Sequence, residues 1–491
     1  MIHIDWKPDK NSEISIKEQI IGYFLDRIVK GMWPIGAAIP PQRELAKAFD
    51  VNRSTIVVAL DELKADGILE GRGRAGTYVA ENNFDPSLSH QTKWQQYIDE
   101  GIHIPNYKTI KMINDNEIND KILRLSSGEA SPSMFSKERM AHVLNEVSKE
   151  INHLGYEGPT GMQSLREEVS KYLKTTGIEA PPSSILIVSG ALQAIQLIAM
   201  GILQRGSTVF VEKPSYLYSL QILQTLGMRR VGLPMNDPRS VKDLIRPHLG
   251  RNKKGIMYVI PNYQNPTSRV MSLEDRKEVM TLCSEEKLPI IEDDVYGELW
   301  IDSPPPASLK SLDVDGNVLY IGSVSKTLSP GLRIGWVVGP ETVINRLADI
   351  KMQMDYGSSS LSQLTVAKWL ETGLYQEHLK EMRRELKTRR DLTLAVLDQY
   401  FSDIAEWSEP AGGFFVWIKL RHTISMYKVF EEALRENILF YPGYVYDVTP
   451  NDYLRISYSY ASHDELVFGL KTLASIIKKR LEYSPNSIYT I

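Results

Sequence analysis

Apolar positions in the first 80 residues fall into short helical stripes. Ile16, Ile20, Phe24 and Ile28 repeat at helical spacing, and Gly31 ends the stripe. The pattern predicts a second short helix over Glu44–Phe49 and a third, capped by Asn52 or Ser54, in which Ile56, Leu60 and Leu63 share a face before Gly67 stops it. The stretch ILEGRGRAGTYVA then reads as two short strands around a Gly/Arg tip. Three helices followed by a basic hairpin form the outline of a winged helix-turn-helix.

The pattern then changes twice. Residues 81–120 are rich in Asn and Asp but carry Trp94, Tyr97 and several isoleucines, as expected of a linker that docks part of its length. Beyond it, β-branched apolar runs recur between helical stretches: Ile185–Val188, Thr208–Val211, Gly255–Ile260, Pro289–Ile291, Val318–Ile321 and Ile334–Val338. That alternation predicts an α/β domain with a mostly parallel sheet covered on both faces. After about residue 343, long charged helices and two strands, Gly413–Leu420 and Tyr453–Tyr460, predict a smaller α+β lobe to which residues 121–155 contribute. The expected organisation is a multidomain chain with a winged helix at 1–80, a linker at 81–120 and a large domain at 121–491.

Composition narrows the class without naming a function. At 491 residues, 42% hydrophobic and 24% charged, the chain is long enough for two or three buried cores, which excludes disordered and fibrous classes. A formal charge of −4 gives no global attraction to nucleic acid, so any DNA contact must come from a local cluster. The single cysteine, Cys283, cannot form an intrachain disulfide; it reads as a packed thiol, in keeping with a reducing cytoplasm. Asp5, Asp9, Glu13 and Glu18 interrupt the apolar positions at the start, so no signal peptide is expected, and no apolar run approaches the ~20 residues of a membrane span.

Residues 1–80 hold 11 Lys/Arg and 11 Asp/Glu, so their placement matters more than their sum. Arg43 and Lys47 fall on the second helix, Arg53 at the start of the third, and Arg72 and Arg74 at the hairpin tip, where phosphates and base edges would be met. Arg53, Ser54 and Thr55 at a helix N-terminus are placed to donate hydrogen bonds into a groove. Taken singly, each arginine is as well explained as a solvated surface charge.

Chemistry in the large domain gathers at strand ends. Lys326 closes Ser323-Val324-Ser325-Lys326 after the strand NVLYIGS, and its amine can form a Schiff base with an aldehyde. The two serines and Arg333 within a few residues form a phosphate cradle. A carboxylate in Glu292-Asp293-Asp294-Val295-Tyr296 can keep a pyridine nitrogen protonated; Asn265 and Tyr296 can hydrogen-bond a ring hydroxyl. Ser189-Gly190-Ala191-Leu192 opens a helix whose N–H groups can face an anion. Each fragment alone has an ordinary alternative: Asp293 as a helix cap, Asn265-Pro266 as a turn, Lys326 as a surface lysine.

Two resemblances bind these fragments together. The string from Gly31-Met32-Trp33-Pro34 through Ile39-Pro40, Arg43, Leu45-Ala46, Asn52-Arg53-Ser54-Thr55 and Leu63 to Gly67 and the Gly-rich wing resembles the GntR family of bacterial winged-helix regulators. This implies that Arg43 and Arg53 contact a double-stranded operator and that the wing reaches its backbone. Residues from roughly 122 to 480 resemble fold-type I aminotransferases of the aspartate aminotransferase class. Carried over, that likeness makes pyridoxal phosphate (PLP) the cofactor, with Lys326 holding it as an aldimine, Asp293 on the ring nitrogen, Asn265 and Tyr296 on the phenolic oxygen and Tyr216 stacked on the ring. Ser323, Ser325, Arg333 and the amides of Ala191 and Leu192 would hold the phosphate, and Tyr156 would reach it from the other subunit. Arg455 matches the arginine that pairs with a substrate carboxylate; its bland alternative is a salt-bridged strand residue. Ala191 and Leu192 depart from the hydroxyl and amide side chains common at the phosphate turn, and Ser268 replaces a glycine, so efficient turnover is in question.

The two modules in this order resemble the MocR/GabR subfamily of transcriptional regulators. The resemblance implies a head-to-tail homodimer, free of membrane, in which an amino-compound effector reacting at PLP alters operator binding. The competing reading is a working aminotransferase with an accessory DNA module, and a third is a DNA-binding scaffold that takes no PLP.

Overall fold

The computed structural model describes every residue except 1–3, 5, 13, 30, 31, 35, 74, 75, 81–97, 99, 153, 235–237, 250–253, 448–451 and 483–491. Contacts divide the chain into two units, Met1–Gly101 and Ile102–Ile491.

In the first unit the helical stripes become Ile16–Val29, Gln42–Phe49 and Arg53–Ala65. The second helix begins two residues earlier than its apolar pattern suggests, because Pro41, extended at φ −55°, ψ 145°, sets up the turn from outside. Of the two candidate caps for the third helix, Asn52 occupies the position, though its side chain makes no capping hydrogen bond; Ser54 lies inside the helix. Ile20, Phe24, Phe49, Ile56, Leu60 and Leu63 are buried together, and Trp33 packs edge-on to Phe24 with ring centroids 4.8 Å apart. The hairpin Leu69–Gly71 and Thr77–Val79 is joined by a third strand, Ala38–Ile39, absent from the sequence expectation. Two residues are too few for a periodicity to register.

The second unit is built on a seven-stranded sheet. Its spatial order is Ile185–Val188, Gly335–Val338, Val318–Ser323, Ile290–Asp293, Gly255–Val259, Thr208–Glu212 and Arg229–Leu233. Every pairing is parallel except the two made by Gly335–Val338. Alternate side chains of each strand enter different cores: Leu186, Val209, Tyr258 and Ile291 join one, while Ile187, Phe210, Met257 and Ile290 face others. Burial on both faces explains why these strands read as continuous apolar runs. The edge strand Arg229–Leu233 escaped the sequence reading because it opens with two arginines, one of which, Arg230, stacks over the Tyr218 ring at 4.8 Å. Cys283 is buried under this sheet among apolar side chains, which push its thiol up to about 12.

The smaller lobe carries a four-stranded antiparallel sheet in the order Ala405–Trp407, Phe415–Leu420, Tyr453–Ser457, Tyr441–Pro442. Leu123–Arg124 pairs in parallel with Ile438–Leu439, which ties the start of the domain to this lobe. Part of the polar connector also belongs to this unit. Lys108–Glu117 is a helix whose Thr109, Ile110 and Ile113 are buried, against a patch that includes Val445 and Tyr446. Among the described residues, no helix is long and apolar enough to cross a membrane.

Candidate functional site

Three consecutive acids show how the sheet builds the site. Glu292 and Asp293 end one strand and Asp294 follows it, and the alternation sends the middle one to the opposite face from its neighbours. Glu292 accepts the amides of Leu309 and Lys310, and Asp294 accepts from Asn262 and Tyr320. Asp293 instead lines a cavity of about 320 Å³ between the sheet and the smaller lobe. Tyr258 donates to its Oδ2 at 2.6 Å, and the Val295 amide lies close enough to favour the charged form. Burial nevertheless holds its carboxyl above the usual range, and Oδ1 is buried without a hydrogen bond of ordinary geometry.

Lys326 reaches the same cavity three residues beyond its strand. Its Nζ donates a 2.7 Å hydrogen bond to the Gly128 carbonyl. Burial pushes the amine below the ordinary lysine value; Glu129 pulls the other way, Arg455 adds to the lowering and Asp293 opposes it. A lysine so depressed is a nucleophile at lower pH than a surface lysine.

At one end of the cavity, backbone and hydroxyl donors converge. The helix Ala191–Gly201 begins there, with Gly190 at its cap at a positive φ of 93°, a conformation open to glycine. Gly335 allows the neighbouring strand to close on it: a Cβ at 335 would lie 3.2 Å from the Gly190 Cα. Ser323 Oγ donates to the Ile334 carbonyl at 3.0 Å and accepts from the Ser325 amide at 3.1 Å, which holds both serines at the mouth of the turn. Arg333 projects over this turn and donates to the Ser189 carbonyl at 2.7 Å.

At the other end lies Arg455, which is 3% exposed. Its guanidinium stands over the rings of Phe415 and Tyr441, at 3.8 and 4.4 Å, and donates to Asn265 Oδ1 at 2.9 Å and to the Ser126 carbonyl. Among the described residues it has no ion-pair partner, against the salt-bridged alternative, and its Nε is buried without a hydrogen bond. A buried cation left with an unpaired donor is costly, and an incoming carboxylate would satisfy it. Asn265 also bonds to Tyr296, and Tyr216 lines the wall.

Ala191, Leu192, Tyr216, Asn265, Asp293, Tyr296, Ser323, Ser325, Lys326, Arg333 and Arg455 therefore meet in one cavity. Tyr156 does not: it is 84% exposed and packs against Tyr356, ring centroids 5.4 Å apart. Sequence reasoning missed Glu117, Gly128, Glu129, Tyr441 and Tyr446, which also line it. No local motif marks them; Glu117 lay in what read as connector.

The residues present fit pyridoxal phosphate. An amine of lowered pKa, a buried carboxylate at the cavity wall, and a helix start flanked by hydroxyls and an arginine correspond to its aldehyde, its ring nitrogen and its phosphate.

In the first unit, Arg43, Arg53 and Ser54 are exposed on the second and third helices, with Thr55 partly so. Arg53 donates to Gln42 at 3.2 Å, which links the two helices. Arg72 is turned back onto the hairpin, bonded to Glu70 at 2.7 Å and stacked on Tyr78 at 4.7 Å. Arg74, the other wing arginine, lies outside the described residues.

Comparisons with known proteins agree with both halves. Residues 16–79 match the bacterial regulatory proteins of the gntR family, and residues 120–468 match aminotransferase class I and II. The chain is 48% identical over 464 residues to the uncharacterized HTH-type transcriptional regulator YdfD of Bacillus subtilis, covering 94% of this chain and 96% of that one. It is 34% identical to the HTH-type transcriptional regulator NorG of Staphylococcus aureus strain N315, covering 90% and 99%. Among solved structures, the Pyrococcus horikoshii kynurenine aminotransferase, in complex with PMP, superposes with a TM-score of 0.72 at 30% identity over 79% of this chain and 97% of that one. LysN from Thermus thermophilus, complexed with N-(5'-phosphopyridoxyl)-L-leucine, gives 0.72 at 28% over 80% and 100%. With a gntR-type winged helix joined to a fold-type I aminotransferase domain along nearly the full length of such relatives, the chain belongs to the HTH-type transcriptional regulators of MocR/GabR architecture.

Proposed function

We propose that this regulator binds PLP in the cavity around Lys326 and senses there an amino compound, whose arrival changes how its winged helices hold an operator. The reading rests on one observation above the others: Asp293, Lys326 with Arg333, and Arg455, from three separate stretches of chain, line one cavity. When bound, PLP supplies an aldehyde that condenses with amines and a ring that draws electrons.

The protein's part is to hold and orient. Lys326 provides the attachment amine, Asp293 holds a proton on the ring nitrogen, and Asn265 and Tyr296 bond the phenolic oxygen. Tyr216 covers the ring face. Ser323, Ser325, Arg333 and the amides of Ala191 and Leu192 grip the phosphate, with Tyr156 completing that grip in the second subunit of a head-to-tail homodimer. Arg455 captures the effector's carboxylate. Arg43, Arg53, Ser54 and Thr55 read the operator, and Arg72 and Arg74 contact its flanking phosphates. The site of action is the cytoplasm, where the DNA is. Regulation requires the effector to favour one dimer arrangement by ~1–3 kcal/mol, a typical coupling.

The test is to load the purified full-length protein with PLP and record its visible spectrum, then add amines and footprint an operator with those that shift it. Lys326→Ala should remain folded and lack the visible band; a band retained in that variant overturns the attachment site. Repeated product release with amino and keto acids would make the protein a working aminotransferase instead.

A further inference from the structure

A residue outside the cavity wall holds Asp293. Tyr258 is fully buried on the strand Gly255–Val259 and is not among the residues that line the space around Lys326. It pairs with Ile291 on the neighbouring parallel strand, and the period of two puts Asp293 on the same face as Ile291, about 6–7 Å further along. The phenol bridges that step, and its hydroxyl donates to Asp293 Oδ2 at 2.6 Å. Among the described residues this is the one hydrogen bond that Asp293 receives from a side chain.

The bond has a fixed direction. Burial and the carboxylate beside it hold the Tyr258 phenol well above its ordinary value, so its proton stays on the phenolic oxygen and is donated, not lost. Burial also draws Asp293 toward its protonated form, and the Tyr258 hydroxyl is the strongest single influence against that. The other titratable groups that act on Asp293 or feel it are Lys326, Tyr216 and Tyr296. On the reading above each of these already has a task at the cofactor: Lys326 attaches it, Tyr216 covers its ring and Tyr296 bonds its phenolic oxygen. Tyr258 has none except through Asp293. A carboxylate is costly to bury, and a pair of apolar side chains would fill the same space at less cost, so stability by itself does not call for the pairing.

We propose that Tyr258 is a positioning residue for the cofactor: its hydroxyl fixes the Asp293 carboxylate at the cavity wall and keeps it ionised, so that the proton shared by the pair stays on the ring nitrogen of PLP. This rests on the cofactor reading of the cavity. A protonated ring draws electrons more strongly than a neutral one, so the response to an amine depends on a side chain that touches neither cofactor nor effector.

The test compares the wild-type protein with Tyr258→Phe, both full-length and loaded with PLP isotopically labelled at the ring nitrogen. In the variant the nitrogen NMR resonance should move toward that of neutral pyridine, because the proton shifts toward Asp293. Equilibrium titrations with PLP and with the analogue in which carbon replaces the ring nitrogen give a second readout. The substitution should weaken PLP by about tenfold, the scale of one hydrogen bond to a charged group, and leave the analogue nearly unchanged. A hydroxyl that only supported the fold would weaken both alike. Equal losses for the two, or a resonance that stays in place, overturn the proposal. Should Tyr258→Phe fail to fold, a ring-fluorinated tyrosine at position 258, a stronger donor of nearly the same shape, should move the resonance the other way, toward pyridinium; a resonance unmoved there also overturns it. If the wild-type protein takes up no PLP, the cofactor reading has failed and this inference with it; uptake that is indifferent to position 258 sinks only the inference.

Discussion

Gly190 and Arg333 are in contact: a Cβ built at position 190 would lie 2.6 Å from Arg333 Nη2, the nitrogen that donates to the Ser189 carbonyl. The glycine is thus needed twice, for its φ of +93° and for the space above it. Gly190→Ala should displace the arginine and strain the helix start, at a cost of ~1–2 kcal/mol from backbone conformation alone. PLP affinity should drop by about tenfold or more, measured by equilibrium titration of the visible band. An unchanged affinity would remove Arg333 from the phosphate site.

The depressed pKa of Lys326 sets the pH dependence of cofactor uptake. Burial disfavours the ammonium, so the neutral amine that attacks an aldehyde is populated at lower pH than in an ordinary lysine near 10.5. The rate of PLP uptake by cofactor-free protein should rise with pH and reach its midpoint below 10.5. A midpoint at or above that value, in stopped-flow traces, would contradict the buried environment.

Among the described residues Arg455 is held by aromatic rings and two acceptors, with no carboxylate paired to it. Arg455→Met keeps much of the volume and removes the charge. Effectors bearing a carboxylate should then half-saturate at least about tenfold higher, whereas amines lacking a carboxylate should change far less. Equal losses for both classes would mean that Arg455 supports the cavity wall rather than the ligand.

Arg53 is exposed at the start of the third helix of the first unit, bridged to Gln42. Arg53→Ala should weaken operator binding by ~1–3 kcal/mol in a gel-shift or footprinting assay while leaving the cofactor band as it was. Full operator affinity in the variant would argue that another face of the unit enters the groove.

Most of the architecture was readable from periodicity, because strands buried on both faces and helices with one apolar stripe leave strong signals over several residues. The strand ends at Ser189, Asp293 and Ser323–Lys326 stood out for the same reason: each follows an apolar run with a sudden cluster of polar groups. What escaped was short or locally polar: the two-residue strand Ala38–Ile39, the Arg-initiated edge strand Arg229–Leu233 and the helix Lys108–Glu117.

Sequence alone determined which groups exist and their order: a lysine after a buried strand, three acids in a row, an arginine far downstream. Residue types alone do not tell which of Glu292, Asp293 and Asp294 faces the cavity; the family resemblance pointed to Asp293, and strand register, which sends neighbours to opposite sides, puts it there. Only the tertiary structure brought Gly128 to Lys326, set Arg455 over aromatic rings at the far end of the cavity, and carried Glu117 out of a polar connector into the same space. Contacts between residues far apart in the chain depend on how whole elements pack, and no window of sequence contains that information.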